Sequence, residues 1–164
     1  MRRGFAFALA AAFTTWMGSA QAADENSFSA RCATCHQQNA QGLPGMYPPL
    51  ADSIGSELRV KHGREYLIEV VLNGMAGSIE VNGTMYAGLM PEFASLSDDE
   101  IAATLNHVLT KFNAGELPKD FTPITAAEVH TARARKISAA KMPDERKSLM
   151  DELQKANAPD GVAK

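Results

Sequence analysis

Apolar side chains fall at helical spacing in several stretches of this chain and alternate with polar ones in another. In "SLSDDEIAATLNHVLTKF", Ile101, Leu105, Val108 and Phe112 recur every three or four residues, which predicts an amphipathic helix. Ser97 and Glu100 form a capping box ahead of it, Asp98 and Asp99 suit the positive end of the dipole, and Lys111 suits the other end. "GREYLIEVVLNGMAG" places Leu67, Val70 and Val71 on one helical face, with Gly74 as the stop. An earlier helix is expected from about Asp24 to Cys35, with two acids in its first turn and Phe28 four residues before Cys32. "QNAQGLPGMYPPLADS" is too broken by Gly and Pro for regular structure. In "SIEVNGTMYAG" the alternation switches to the strand period, and Asn82-Gly83 predicts a hairpin turn. Beyond the linker "NAGELPKDFTP", Thr125 and Glu128 suggest a second capping box opening a helix over "AAEVHTARARKISAAK". Pro143 should break that helix, and "DERKSLMDELQK" reads as one more. The fold class is all-α, with one short β-hairpin and a helical C-terminal extension.

The N-terminus changes the picture by shortening the folded chain. Arg2 and Arg3 precede an uncharged apolar run, Phe5 to Gly18, and Ala20-Gln21-Ala22 offers a small-residue cleavage pattern. This is expected to be a secretory signal peptide over residues 1–22 rather than a retained anchor, because the run falls short of the roughly 20 residues that span a bilayer. No later segment is apolar enough for stable membrane insertion. Residues 23–115 carry five Lys/Arg against eleven Asp/Glu, whereas 116–164 carry nine against eight. That shift marks an expected boundary near Gly115, between a body at 23–115 and an extension at 116–164. An acidic body lacks the basic footprint of a nucleic-acid binder.

Candidate chemistry centres on "RCATCHQQNAQG", which holds both cysteines of the chain, three apart, with His36 directly after the second. Three readings compete: a redox disulfide, half of a zinc site, and covalent haem attachment. Zinc wants four ligands, and the remaining His62, His107 and His130 match no common zinc spacing. A thioredoxin-like disulfide needs a preceding strand, and nothing between Ala22 and Arg31 reads as one. On a helix, thiols three apart share one face and can reach the two vinyl groups along a haem edge, with the next residue's imidazole turned toward the iron. Cys32, Cys35 and His36 are therefore read as a haem c attachment site. The sixth ligand in a small domain of this kind is normally a methionine thioether. Met46, Met75, Met85 and Met90 are candidates. Met90 is preferred, because "GLMPEF" reads as an irregular segment free to cover the distal face, whereas Met85 after the hairpin turn is expected to pack.

"CATCH", "YPPL" and "NGMAGSIEVNGTMYAGLMPEFASLSDDEIAATLNHV", in that order, resemble class I c-type cytochromes over about Phe28 to Phe112. The resemblance is particularly to single-haem cytochromes that work with periplasmic dehydrogenases. It implies a small cytochrome c fold wrapped around one covalent haem, and places Phe28 where the first and last helices meet. It also implies that the carbonyl of Pro48 accepts a hydrogen bond from the other nitrogen of His36, which would orient the ring. His107 stands where the family usually has an aromatic, and a packing role is expected for it. His62 is expected to be exposed at a helix start.

The resulting expectation is a periplasmic electron carrier, not an enzyme, with His36 and Met90 on the iron. Electrons would come from a periplasmic dehydrogenase and pass to a respiratory acceptor such as a terminal oxidase. The rival is a haem sensor or peroxidase-like enzyme with an open sixth position, but no acid/base residues near the distal face suggest one. Leu50, Leu67, Val71, Leu89, Phe93, Tyr66 and Tyr86 are the candidate pocket lining. The extension shows only weak apolar periodicity (Val129, Ile137, Leu149, Met150, Leu153), and its deletion is expected to leave the haem site unchanged.

Overall fold

The computed structural model describes residues 26–158; the expected signal peptide and the acids Asp24 and Glu25 lie outside them. Helical backbone begins at Asn26, passes through a π-helical turn, Phe28–Cys32, and ends in α1 (Ala33–His36). A long irregular segment follows, as its Gly and Pro content predicts, and closes with the 3₁₀ turn Gly55–Arg59. The next helix, α2 (Lys61–Asn73), stops where Gly74 adopts φ 68° and returns its N–H to Val70. Strands β1 (Met75–Val81) and β2 (Thr84–Met90) then pair antiparallel, from Val81 opposite Thr84 to Met75 opposite Met90. Asn82 and Gly83 both have positive φ, 51° and 76°, the type I′ geometry that matches strand twist.

Helix α3 (Asp98–Phe112) carries the expected reciprocal box between Ser97 and Glu100. The second box is present too, but α4 (Ala126–Ala132) is less than half the expected length. Its chain turns away at Arg133, whose guanidinium binds Asp98 and the carbonyls of Ala94 and Leu96. Two residues on, Arg135 meets Glu69 of α2 at 3.0 Å. Continuing the helix would swing these two arginines away from their partners. Pro143 also acts otherwise than expected. It occupies the first turn of α5 (Met142–Ala156), where its missing N–H is no loss, so it starts this helix rather than ending the one before.

One apolar core joins everything. Phe28, Leu67, Ile68, Leu72, Ile101, Leu105 and Leu109 pack with Ile124, Val129, Met142, Leu149 and Leu153 from beyond residue 115. Phe28 meets His107 and Phe112 at ring-centroid distances of 5.8 and 5.3 Å, so the histidine takes a packing place between the first helix and α3. His62 is not exposed at its helix start. Its ring lies between α2 and α5, with Glu145 at 3.5 Å and Glu152 at 3.3 Å, and its side chain is 17% exposed.

Candidate functional site

A cavity of about 410 Å³ opens between α1, the segment 46–54, α2, the hairpin and α3. Cys32, Cys35, His36, Pro48 and Met90 all line it, so the fold brings the sequence-predicted residues to one place. The seven expected pocket residues, Leu50, Leu67, Val71, Leu89, Phe93, Tyr66 and Tyr86, line it as well. Leu89 differs from the rest in being 73% exposed.

Helix α1 sets one wall. Its last residue is His36, buried to 9% exposure, whose Nδ1–H donates to the carbonyl of Pro48 at 2.9 Å. The donation fixes the tautomer, leaving the lone pair on Nε2. Burial holds the imidazole below its ordinary pKa, with the Pro48 bond acting against that, so the ring is neutral and able to bind a metal at neutral pH. Burial likewise pushes the Cys32 thiol up to about 11. Pro48 is held in place by its own loop: the carbonyl of Ala40 accepts from Leu50 and Ala51, while Leu43 and Tyr47 exchange backbone bonds at 2.8 Å. A Cβ on Gly42, at φ 64°, would stand 2.3 Å from the Tyr47 carbonyl and 2.6 Å from that of Pro48, so only glycine lets the loop close this tightly.

The methionine segment is regular, contrary to the sequence expectation. Met90 is the last residue of β2, not part of a free loop, because the antiparallel pairing with β1 runs to its end, where Met75 pairs with Met90. The backbone at and just after it is fixed on two further sides. Gly74 lies against it so closely that a Cβ there would be 2.5 Å from the Met90 carbonyl, and Phe93 donates its N–H to Val71 of α2 at 2.9 Å. Met46 and Met75 also line the cavity. Met85, expected to pack because it follows the turn, is instead 57% exposed.

Sequence reasoning missed three residues that shape the site. Asn113, fully buried, reads in the sequence as the start of a linker. Its Oδ1 accepts from the backbone of Ser53, Ile54 and Gly55 at 3.1, 3.2 and 3.1 Å, and its Nδ2 donates to Leu50 and Val108 at 2.9 and 3.0 Å. An asparagine just beyond a helix is the one available signal. Glu57 and Arg146 form a buried ion pair of 2.7 Å on the cavity wall. Eighty-nine residues separate them, and no local pattern announces such a pair.

Among the described residues no group of three or more His, Cys, Asp or Glu could hold a metal ion. The donor set that remains is two thiols, an imidazole nitrogen of fixed tautomer and thioethers, on a largely apolar cavity within the ~300–1,000 Å³ range of cofactor pockets. That set fits a haem attached through its vinyl groups. Over residues 20–108 the chain matches the family model described as cytochrome c oxidase, cbb3-type, subunit III. It is 49% identical over 127 residues to cytochrome c-552 of Thermus thermophilus, covering 77% of this chain and 97% of that relative. A second cytochrome c-552, from a particular strain of the same species, is likewise 49% identical over 127 residues, covering 77% of this chain and 86% of the relative.

Proposed function

Since this chain belongs to the class I c-type cytochromes, electron-transfer proteins that carry covalently bound haem c, we propose that it shuttles single electrons on one haem held by Cys32, Cys35, His36 and Met90. The observation that carries this reading is the 2.9 Å bond from His36 Nδ1 to the Pro48 carbonyl, which leaves Nε2 as the only ring nitrogen able to bind iron. When bound, the haem supplies a one-electron Fe(III)/Fe(II) couple.

The protein residues do the rest. Pro48 orients the imidazole and strengthens its basicity through the second ring nitrogen. Gly74 packs against the Met90 carbonyl, and Val71 accepts from the Phe93 N–H three residues on, so the thioether is delivered from a strand end anchored on both sides. Leu50, Leu67, Val71 and Phe93 keep water out of the cavity, which limits the solvent rearrangement each electron would otherwise require. Leu43, Met46 and Leu89 leave large apolar surfaces exposed, at 45, 55 and 73%. Met46 and Leu89 also line the cavity, and exposed apolar side chains there support brief docking of a redox partner over a small area. The setting is the periplasm, reached after cleavage behind Ala22, and the partners are a dehydrogenase as donor and a respiratory acceptor such as a terminal oxidase.

The test is the ferric absorption spectrum of the matured protein and of three variants. The weak far-red band of iron–thioether ligation should be present in the wild type, Met46→Ala and Met75→Ala, and absent in Met90→Ala. A high-spin wild type without the band would instead favour the open-site sensor or peroxidase-like enzyme. Retention of the band in Met90→Ala would move the ligand to Met46 or Met75.

A further inference from the structure

Glu57 is 2% exposed and has satisfied only half of its carboxylate. Its Oε1 accepts from Arg146 Nη1 at 2.7 Å, while Oε2 has no hydrogen-bond partner among the described residues, and neither has Arg146 Nε. Both side chains line the cavity that holds His36 and Met90. The pair cannot drift. Gly63 of α2 is pressed against the turn that carries Glu57, where a Cβ would come within 1.7 Å of the Glu57 carbonyl. Arg146 is buried at 8% exposure among α5 residues that belong to the core.

We propose that Glu57 is a redox-linked proton site: between its proton affinities in the two oxidation states, electron uptake by the protein favours binding of a proton from solvent at Glu57 Oε2. The proposal rests on the haem-carrier reading above. The balance is one electron from a reduced one-electron donor protein to the iron, and one proton from water to the carboxylate, forming an O–H bond. Oε1 stays free to accept from Arg146, so the ion pair becomes a neutral-acid hydrogen bond without moving a heavy atom.

The charges around Glu57 explain why it titrates with the iron. From α5 it faces Arg146, and from α2 it faces the Tyr66 hydroxyl, itself buried at 3% exposure. Its own turn adds Arg59, which points to solvent beside Glu116, at 3.8 Å. Burial raises the proton affinity of Glu57, and Arg146 offsets that only in part. The oxidised cofactor adds a positive charge to the same low-dielectric cavity and favours the ionised carboxylate; an arriving electron removes that charge and favours the acid. The reduced form therefore binds the proton more tightly, and the midpoint potential falls as pH rises between the two proton affinities.

The experiment is spectroelectrochemical titration of the full, haem-loaded protein and of Glu57→Gln from about pH 4 to 9. An approximately tenfold difference in proton affinity between the oxidation states gives a total fall of about 59 mV in the wild type. Glu57→Gln keeps an oxygen for Arg146, and should show a flat potential that matches the acidic plateau of the wild type. Redox-difference infrared spectra of the wild type should show a carboxylic-acid C=O band gained on reduction, which keeps the idea testable if the variant does not accumulate. A flat wild-type potential with no such band overturns the proton site while leaving the electron carrier intact. A slope that persists in Glu57→Gln assigns the proton elsewhere and overturns it too. Absence of any reversible one-electron couple would overturn the carrier reading beneath it.

Discussion

Replacing Asn113 with alanine should be among the most damaging single changes outside the haem ligands. The side chain makes five hydrogen bonds, three to consecutive N–H groups at 53–55 and two to the carbonyls of Leu50 and Val108. It thereby ties the end of α3 to the loop that follows Pro48. Each such bond contributes about 1 kcal/mol net, and a buried group left unpaired costs about 1–3. Water entering the space vacated by the amide recovers part of this, so the expected loss is about 4 kcal/mol. For a chain of this size that lowers Tm by about 10 °C. Asn113→Asp keeps the acceptor for Ser53, Ile54 and Gly55 but sets a buried carboxylate oxygen against two carbonyls, and should lose at least as much. Denaturant titration of the haem-loaded protein, followed by far-UV circular dichroism, measures both. Asn106→Ala is the reference: it too removes bonds between α3 and another segment, but only two, both to Ile124. A loss under about 1 kcal/mol for Asn113→Ala, or one no larger than that of Asn106→Ala, would refute the idea that this residue anchors the loop.

Gly74→Ala places a Cβ 2.5 Å from the Met90 carbonyl at a φ of 68°, so it should displace the end of β2 and weaken or abolish the far-red thioether band while leaving the Cys32 and Cys35 attachments in place. Deleting 116–164 removes Ile124, Val129, Met142, Leu149 and Leu153 from the core and strips Glu57 of Arg146. In place of the unchanged haem site expected from the sequence, it should give a protein that binds apolar dyes and shows a lowered, broadened melting transition. Glu128 is held down to about 2 chiefly by Arg64, then by Thr125. A depressed carboxyl stabilises above its ordinary value and loses that contribution as pH falls from about 4.5 toward 2. With the side chain 36% exposed, solvent screening limits the effect to about 1 kcal/mol. The stability gap between the wild type and Glu128→Gln should be present at neutral pH and close across that acid window.

What the sequence disclosed was mostly local. Both capping boxes, the Gly74 stop and the Asn82-Gly83 turn depend on residues within a few positions of each other, and each lies where its spacing predicts. The helix over 126–141 fails because Arg133 and Arg135 are claimed by Asp98 and Glu69, partners 35 and 66 residues away that no periodicity encodes. "GLMPEF" reads as irregular, yet β2 continues to Met90 because Met75 pairs with it across the sheet. Within the site, the attachment motif is one short segment that the sequence spells out, and the place of Pro48 beside His36 was implied by the family resemblance rather than by spacing. Asn113, Glu57 and Arg146 were not legible, since each acts across a distance in sequence that only the folded chain closes.

The exposed stretch around Ala114–Gly115 and Lys119–Asp120 connects two parts of one core, which also touch through Arg64, Arg133, Arg135 and Arg146. Those contacts amount to a binding interface whose two halves share one chain. A connection this short keeps the local concentration of one half around the other on the order of millimolar, so association needs little intrinsic affinity. A single proteolytic cut there would leave every contact in place yet change the order of the reaction. Stability of the cut protein would then depend on how far its two pieces are diluted.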